Sequence, residues 1–190
     1  MSAPKTIAPK DGKLGVMVVG MGAIGTTVVA GVHLIRKGLS KPVGSMTQMG
    51  TIRLGKRTEA RFPIVKDFVP LVSLDDLVFG AWDIFEDTAY QAAKKAAVLS
   101  NEHIDAVKDE LMALRPMPAV FDKNWVRLLD GPNVKTGATK YDLARQLMDD
   151  MARFKAENGC ARLVMLWAAS TETFTPVKDA HRTVAAFEAA

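Results

Sequence analysis

The hydrophobic pattern divides the chain into a few long apolar runs separated by polar and glycine-rich stretches. The first run, about Leu14–Val19, is rich in β-branched residues and stops at a glycine-spaced turn, which predicts a buried strand. Apolar residues at helical spacing then predict a buried helix over about Ala23–Lys37, with Gly38 as its C-terminal stop. Leu77-Val78-Phe79-Gly80-Ala81-Trp82-Asp83-Ile84 is a short apolar run bounded by turn signals and predicts a second buried strand. An alanine-rich helix through Ala97 follows it. A third strand is expected over Ala161–Trp167, and weaker ones near 43, 69 and 119. Ser100 opens a helix over Asn101–Leu114, with Ile104, Val107, Leu111 and Leu114 on one face and Pro116 and Pro118 beyond its end. Thr139 caps a long helix, about Lys140–Glu157, whose stripe of Tyr141, Ala144, Leu147, Met148, Met151 and Phe154 reads as core. Thr175 and Pro176 read as the N-cap and first position of a last helix.

Strands alternating with helices indicate an α/β chain with a doubly wound, mainly parallel sheet. Residues 1–12 read as a loose leader and 13–190 as one domain. Three firm strands are few for such a sheet, so the sheet is expected to be incomplete and the chain part of something larger. The unpaired edge and uncovered core face of an incomplete sheet favour association.

The junction of the first strand and helix carries the most specific signal. Gly20-Met21-Gly22-Ala23-Ile24-Gly25 is a G-x-G-x-x-G turn in the strand–turn–helix context of a dinucleotide fingerprint. Gly20 permits the tight turn, Gly22 lets a pyrophosphate approach the backbone, and Gly25 lets the helix pack on its strand. The free N–H groups at the helix start would face the phosphates. The plainer reading is a glycine-rich turn between two core elements. The fingerprint also expects an acidic residue about 20 positions on, and Leu39–Met46 holds none. Asp83, near a strand's C-terminal end, is a candidate for the ribose; it could equally cap the next helix. Ala168-Ala169-Ser170-Thr171 at the tip of the third run reads either as a segment close to a cofactor or as an ordinary βα turn.

Composition narrows the setting. The 190 residues are 48% hydrophobic and 24% charged, ordinary for a globular protein, and the net charge of +4 is modest. The cations are not gathered into one tract, so nucleic acid is not an expected partner. Arg53, Lys56, Arg57, Arg61 and Lys66 do fall in the irregular stretch 39–66, where they suit either an anionic ligand or neighbouring subunit or a solvated face. Cys160 is the sole cysteine, so no internal disulfide forms. No apolar stretch is long enough to span a bilayer and the N-terminus lacks a signal-peptide core; no membrane association and a cytoplasmic location are expected. His33, His103 and His181 share no ligand spacing with Cys160, so no metal site is expected. Nothing matches a nucleophile elbow or a P-loop.

Four blocks in order carry a family resemblance: Gly20–Gly25; Gly44-Ser45-Met46-Thr47-Gln48 with Thr51-Ile52-Arg53; Phe79-Gly80-Ala81-Trp82-Asp83-Ile84; and Leu166-Trp167-Ala168-Ala169-Ser170-Thr171-Glu172. Together, over roughly Leu14 to Thr173, they resemble the inositol-3-phosphate synthases, also called myo-inositol-1-phosphate synthases. That resemblance implies a Rossmann-like domain and the NAD-dependent isomerisation of D-glucose 6-phosphate to 1D-myo-inositol 3-phosphate, a step of inositol and phospholipid biosynthesis. In that family NAD oxidises C5, an intramolecular aldol step closes the ring, and NADH reduces the inosose. The resemblance further implies that Gly20, Met21, Gly22, Ala23, Ile24 and Gly25 carry the pyrophosphate, that Asp83 takes the adenosine ribose, and that Ala168, Ala169, Ser170 and Thr171 lie along the cofactor. The family commonly reads Trp-Thr-Ala-Asn-Thr at the last block; here Ala168 and Ser170 replace Thr and Asn. The resemblance implies a homo-oligomer, a tetramer, and places the catalytic lysines and the tetramer-forming sheet after Ala190, so no catalytic residue is assigned in this chain. The alternative is a stand-alone NAD(H)-binding module or redox sensor without turnover.

Overall fold

Leu14, Val16 and Val18 alternate with Gly15, Met17 and Val19, and a strand of that composition has apolar side chains for both faces of a sheet. In the computed structural model, which describes residues 11–169 and 177–189, this is β1 (Lys13–Val19). The remaining elements are α1 (Ala23–Arg36), α2 (Met46–Met49), α3 (Val65–Phe68), β2 (Leu77–Asp83), α4 (Ala89–Ala96), α5 (Asn101–Ala106), α6 (Lys108–Ala113), β3 (Met117–Pro118), α7 (Lys140–Glu157), β4 (Cys160–Trp167) and α8 (Val184–Glu188). The four strands form one all-parallel sheet in the order β3-β2-β1-β4. Val18 stands between Ala81 of β2 and Leu166 of β4.

Two cores flank the sheet. On one face Val18 and Ala81 pack with Val29, Ala30 and Leu34 of α1, Ala89 and Ala93 of α4, Ile104 of α5 and Leu111 of α6. On the other, Met17 and Trp82 pack with Leu147, Met151 and Phe154 of α7. Two strand glycines make room for α7: a Cβ on Gly80 would lie 2.8 Å from the Phe154 ring, and one on Gly15 2.9 Å from it. Beneath the sheet Asp150 of α7 is buried and accepts bonds from Trp82 Nε1–H, Lys135 Nζ and an Arg153 guanidinium nitrogen. Burial pushes its carboxyl up, but the Lys135, Trp82 and Arg153 contacts outweigh this and hold it below the usual carboxylate range.

Helix ends follow their caps. Thr139 Oγ1 accepts the Asp142 N–H while the Asp142 carboxylate accepts the Thr139 N–H, closing a reciprocal box at the start of α7. Gly38, at φ +70°, follows the end of α1 as expected. Arg36 donates to the carbonyls of Leu74 and Leu77 and so ties the end of α1 to the start of β2.

Several expectations need correction. The expected strand near 119 is the short β3 with its extension, a parallel bridge between Ala119 and Val134. No strand forms at 43 or 69. Val43 lies in a turn closed by Gly44 at φ +86°, and Val69 ends the single turn of α3, followed by Pro70. Residues 51–64 instead form a small hairpin, with bridges Thr51–Ile64 and Leu54–Arg61. The helix expected over Asn101–Leu114 breaks at Val107, whose φ of −123° and ψ of 28° separate α5 from α6. On α7 only part of the stripe is core: Leu147, Met151 and Phe154 pack on the sheet, while Tyr141, Ala144 and Met148 are exposed. Thr175 and Pro176 lie outside the described residues; the last described helix, α8, is capped by Thr183.

Candidate dinucleotide site

Strand order makes the site. β1 continues through α1 to β2 on one side, and β4 arrives through α7 on the other, from the opposite face. The C-terminal tips of β1 and β4 therefore flank a topological switch point, the place where open α/β sheets bind ligands.

The turn after β1 is built glycine by glycine. Gly20 has φ +93°, and a Cβ there would lie 2.6 Å from the Ala169 Cα, so β1 and the β4 tip can meet only at a glycine. Gly25 brings α1 against its own strand: its Cβ would meet the Gly20 carbonyl oxygen at 2.7 Å. Gly22 differs from both. A Cβ there meets nothing within 4 Å and would project into open space at the mouth of the helix. Gly22 is the N-cap of α1, no side chain caps the helix, and its first turn holds no acid. Gly22, Ala23 and Ile24 are exposed, and among the described residues the first N–H groups of this 14-residue helix have no capping side chain and face that space. Backbone donors and the positive helix end together suit an anion.

Met21 is an anchor. Its side chain is buried in the α1-side core, and its N–H donates to Asp83 Oδ2 at 2.5 Å. Gly20 N–H donates to the Trp82 carbonyl at 2.8 Å. The turn is thus hung from the tip of β2 by two bonds. Asp83 Oδ1 accepts the Phe85 N–H at 3.0 Å, and Thr88, not Asp83, caps the following helix. This removes the reading of Asp83 as a helix cap.

No acid lies near residue 42, and Asp83 stands instead at the tip of the strand next to β1. β2, the strand beside β1, begins at Leu77, because residues 39–76 intervene between α1 and β2. The acid at the end of β2 is therefore in its ordinary structural place and displaced only in sequence.

On the far side of the crevice Ala168 N–H donates to the Val19 carbonyl at 2.8 Å, and Ala169 lies against Gly20. Ser170 and Thr171 lie outside the described residues. The structure thus brings together Gly20, Met21, Gly22, Ala23, Ile24, Gly25, Asp83, Ala168 and Ala169. One participant was not read from the sequence: Asn133, whose side-chain amide donates to the Asp83 carbonyl at 2.9 Å while its N–H donates to the Ile84 carbonyl. Its only signal was a place in Asp130-Gly131-Pro132-Asn133, a stretch read as irregular. Among the described residues no group of three His, Cys, Asp or Glu is placed to hold a metal, and no helix is long and apolar enough to cross a membrane.

The parallel sheet, the glycine turn and the open helix start define a Rossmann-like dinucleotide-binding domain. The chain belongs to the myo-inositol-1-phosphate synthase family: the model of that family's NAD-binding domain matches residues 14–190. Inositol-3-phosphate synthase 1 of Bacteroides thetaiotaomicron is 50% identical to it over 185 residues, which is 97% of this chain and 42% of that protein. Inositol-3-phosphate synthase of Brassica napus is 34% identical over 180 residues, 87% of this chain and 35% of that protein. The crystal structure of inositol-3-phosphate synthase from Caenorhabditis elegans superposes with a TM-score of 0.78 at 26% identity, over 90% of this chain and 37% of that one. The chain thus spans about two-fifths or less of the length of the relatives it matches.

Proposed function

We propose that this chain holds NAD for an inositol-3-phosphate synthase activity, the conversion of D-glucose 6-phosphate to 1D-myo-inositol 3-phosphate. The observation that carries the reading is the open space at Gly22, directly in front of an uncapped helix start, in a chain of this family. The residues fit the cofactor. The backbone amides of Gly22, Ala23 and Ile24 would hold the pyrophosphate. Asp83 would take the adenosine ribose, since each of its carboxylate oxygens has accepted one N–H and keeps a further lone pair. Ala168, Ala169, Ser170 and Thr171 would lie along the rest of the cofactor. NAD, when bound, supplies a hydride acceptor that returns the hydride later, so the overall reaction has no net redox change. Gly20, Gly25, Met21 and the β2 tip keep the amides aimed; none of the chain's own residues is assigned a proton-transfer role. A homo-oligomer, a tetramer by family, working in the cytoplasm completes the proposal.

Calorimetric titration with NAD tests it. The chain should bind NAD, and Gly22→Val should abolish binding with the circular dichroism unchanged, because the branched side chain would fill the space reserved for phosphate. Undiminished affinity in that variant overturns the assignment. Asp83→Ala should weaken binding by about 1–3 kcal/mol, the range for leaving hydrogen-bonding groups unmatched. Incubation with NAD and glucose 6-phosphate separates the two classes of function. The expectation is no inositol phosphate from this chain alone and activity from a full-length synthase carrying it; inactivity of both favours an NAD(H)-binding module without turnover.

A further inference from the structure

Asp150 is the one charged residue among the buried residues described, 4% exposed on the α7 side of the sheet. Filling the core does not by itself require a carboxylate at this position. An apolar side chain of similar size would fill the same space without taking a carboxylate and an ammonium out of water. What the carboxylate adds is direction. Oδ2 accepts the Trp82 indole N–H at 2.9 Å and the Lys135 ammonium at 2.8 Å.

Both partners lead to the tip of β2. Trp82 offers its carbonyl to the Gly20 N–H and is followed by Asp83, whose carboxylate holds the Met21 N–H. Lys135 belongs to the segment that docks beside β3. Its N–H donates to the Ala119 carbonyl, and the Asn133 carbonyl accepts the Ala119 N–H. Asn133 then holds the Ile84 carbonyl through its N–H and the Asp83 carbonyl through its side chain. One carboxylate therefore fixes the β2 tip through an indole on one route and through the 133–135 segment on the other. The glycine turn hangs from that tip by the Gly20 and Met21 amides.

We propose that Asp150 is a positioning residue of the dinucleotide site, acting across the sheet through Trp82 and Lys135 to hold the β2 tip that aims the Gly20–Gly25 turn. Its effect on affinity rests on the reading of that turn as an NAD site; its effect on the turn does not.

The test uses the full 190-residue chain, Asp150→Asn and Trp82→Phe. Trp82→Phe keeps an aromatic ring in the core while removing the indole donor and part of the indole's volume, so it serves as the second variant if the first does not fold. Two quantities are measured: residue-resolved amide hydrogen exchange without ligand, and NAD affinity by calorimetry. In both variants the Gly20 and Met21 amides should exchange roughly tenfold faster, the factor that corresponds to about 1.4 kcal/mol. The Ile104 and Leu111 amides, on the other face, should keep their protection. NAD affinity should fall by a similar factor. Unchanged protection at Gly20 and Met21 overturns the proposal, as does an equal rise at every core amide, which would mean a role in global stability alone. If the parent chain binds no NAD but the exchange pattern appears, the NAD reading fails and the positioning of the turn by Asp150 stands.

Discussion

β1 has a neighbour on each side, and the two neighbours live in different surroundings. β2 is written Leu77-Val78-Phe79-Gly80-Ala81-Trp82-Asp83, and Gly80, Ala81 and Trp82 are buried beneath helices on both faces. β4 is written Cys160-Ala161-Arg162-Leu163-Val164-Met165-Leu166-Trp167, as apolar as β2, yet only Cys160 is buried. Val164, on the α1 side, is 48% exposed, and Met165, on the α7 side, is 50% exposed. The helices explain the difference: α1 packs towards α4, α5 and α6, over the β2 half of the sheet. Composition alone thus states what a strand is suited to, and coverage decides what it receives. The glycine turn takes two hydrogen bonds from the covered neighbour, at Trp82 and Asp83, and its close approach from the open one, at Ala169.

The sharpest way to break this contrast is to put one charge at matching places on the two strands. Ala81 and Leu166 both pair with Val18, and Val164 stands one step back on the same face. Ala81→Asp would bury a carboxylate with no partner and should cost more than about 4 kcal/mol, enough to unfold the chain in a urea titration. Val164→Asp should change stability by less than about 1 kcal/mol, since the position is half open. It should also suppress the self-association expected of an exposed apolar edge, read by gel filtration across a concentration series. Comparable destabilisation by both substitutions would mean that β4 is covered in solution.

A smaller effect separates the glycines of the turn. Gly20→Ala forces a side chain to φ +93° and against the Ala169 backbone, so it should cost about 1–3 kcal/mol in thermal unfolding and part β1 from the β4 tip. Gly22→Ala meets no atom and has an ordinary φ of −75°. Its stability should fall by no more than about 1 kcal/mol, the cost of an alanine at an N-cap, while NAD affinity falls.

How much of this was legible differs element by element. β1, β2, β4 and α7 declare themselves because a long apolar run, or a capping Thr139 before a helical stripe, is local information. The glycine turn is legible for the same reason. What sequence hides is contact across distance. The bond from Met21 to Asp83 joins residues 62 positions apart, and nothing in either neighbourhood announces it. The acid looked absent because the count of 20 residues assumes a short crossover, and residues 39–76 lengthen it. Tyr141 and Met148 fit the helical stripe by spacing, but only Leu147, Met151 and Phe154 meet the sheet, and spacing cannot say which part of a stripe is covered. Val43 and Val69 look like strand residues, and a left-handed glycine and a proline beside them decide otherwise.

The finest test concerns the covered flank alone. His33 of α1 lies against Phe79 of β2, with ring centroids 5.9 Å apart, and it is half-buried. Burial chiefly lowers its pKa, the nearby Arg36 and Lys37 lower it further, and Glu110 opposes them. The folded chain therefore resists protonating this ring more than the unfolded chain does. Above the unfolded value of about 6.5 both states carry a neutral imidazole and the residue adds no pH dependence. As pH falls below that value the unfolded state takes up a proton first, and stability is lost until the folded value is passed. Urea unfolding of the parent and of His33→Gln at several pH values between about 7.5 and 5 should show a steeper loss in the parent. The difference should be the smallest of the three effects, because a half-buried ring is partly solvated and Glu110 offsets some of the repulsion. Parallel curves would place His33 in water, and with it the end of α1 that shields β2. A divergence that begins below pH 7 would confirm that the flank from which the dinucleotide turn hangs is the closed one.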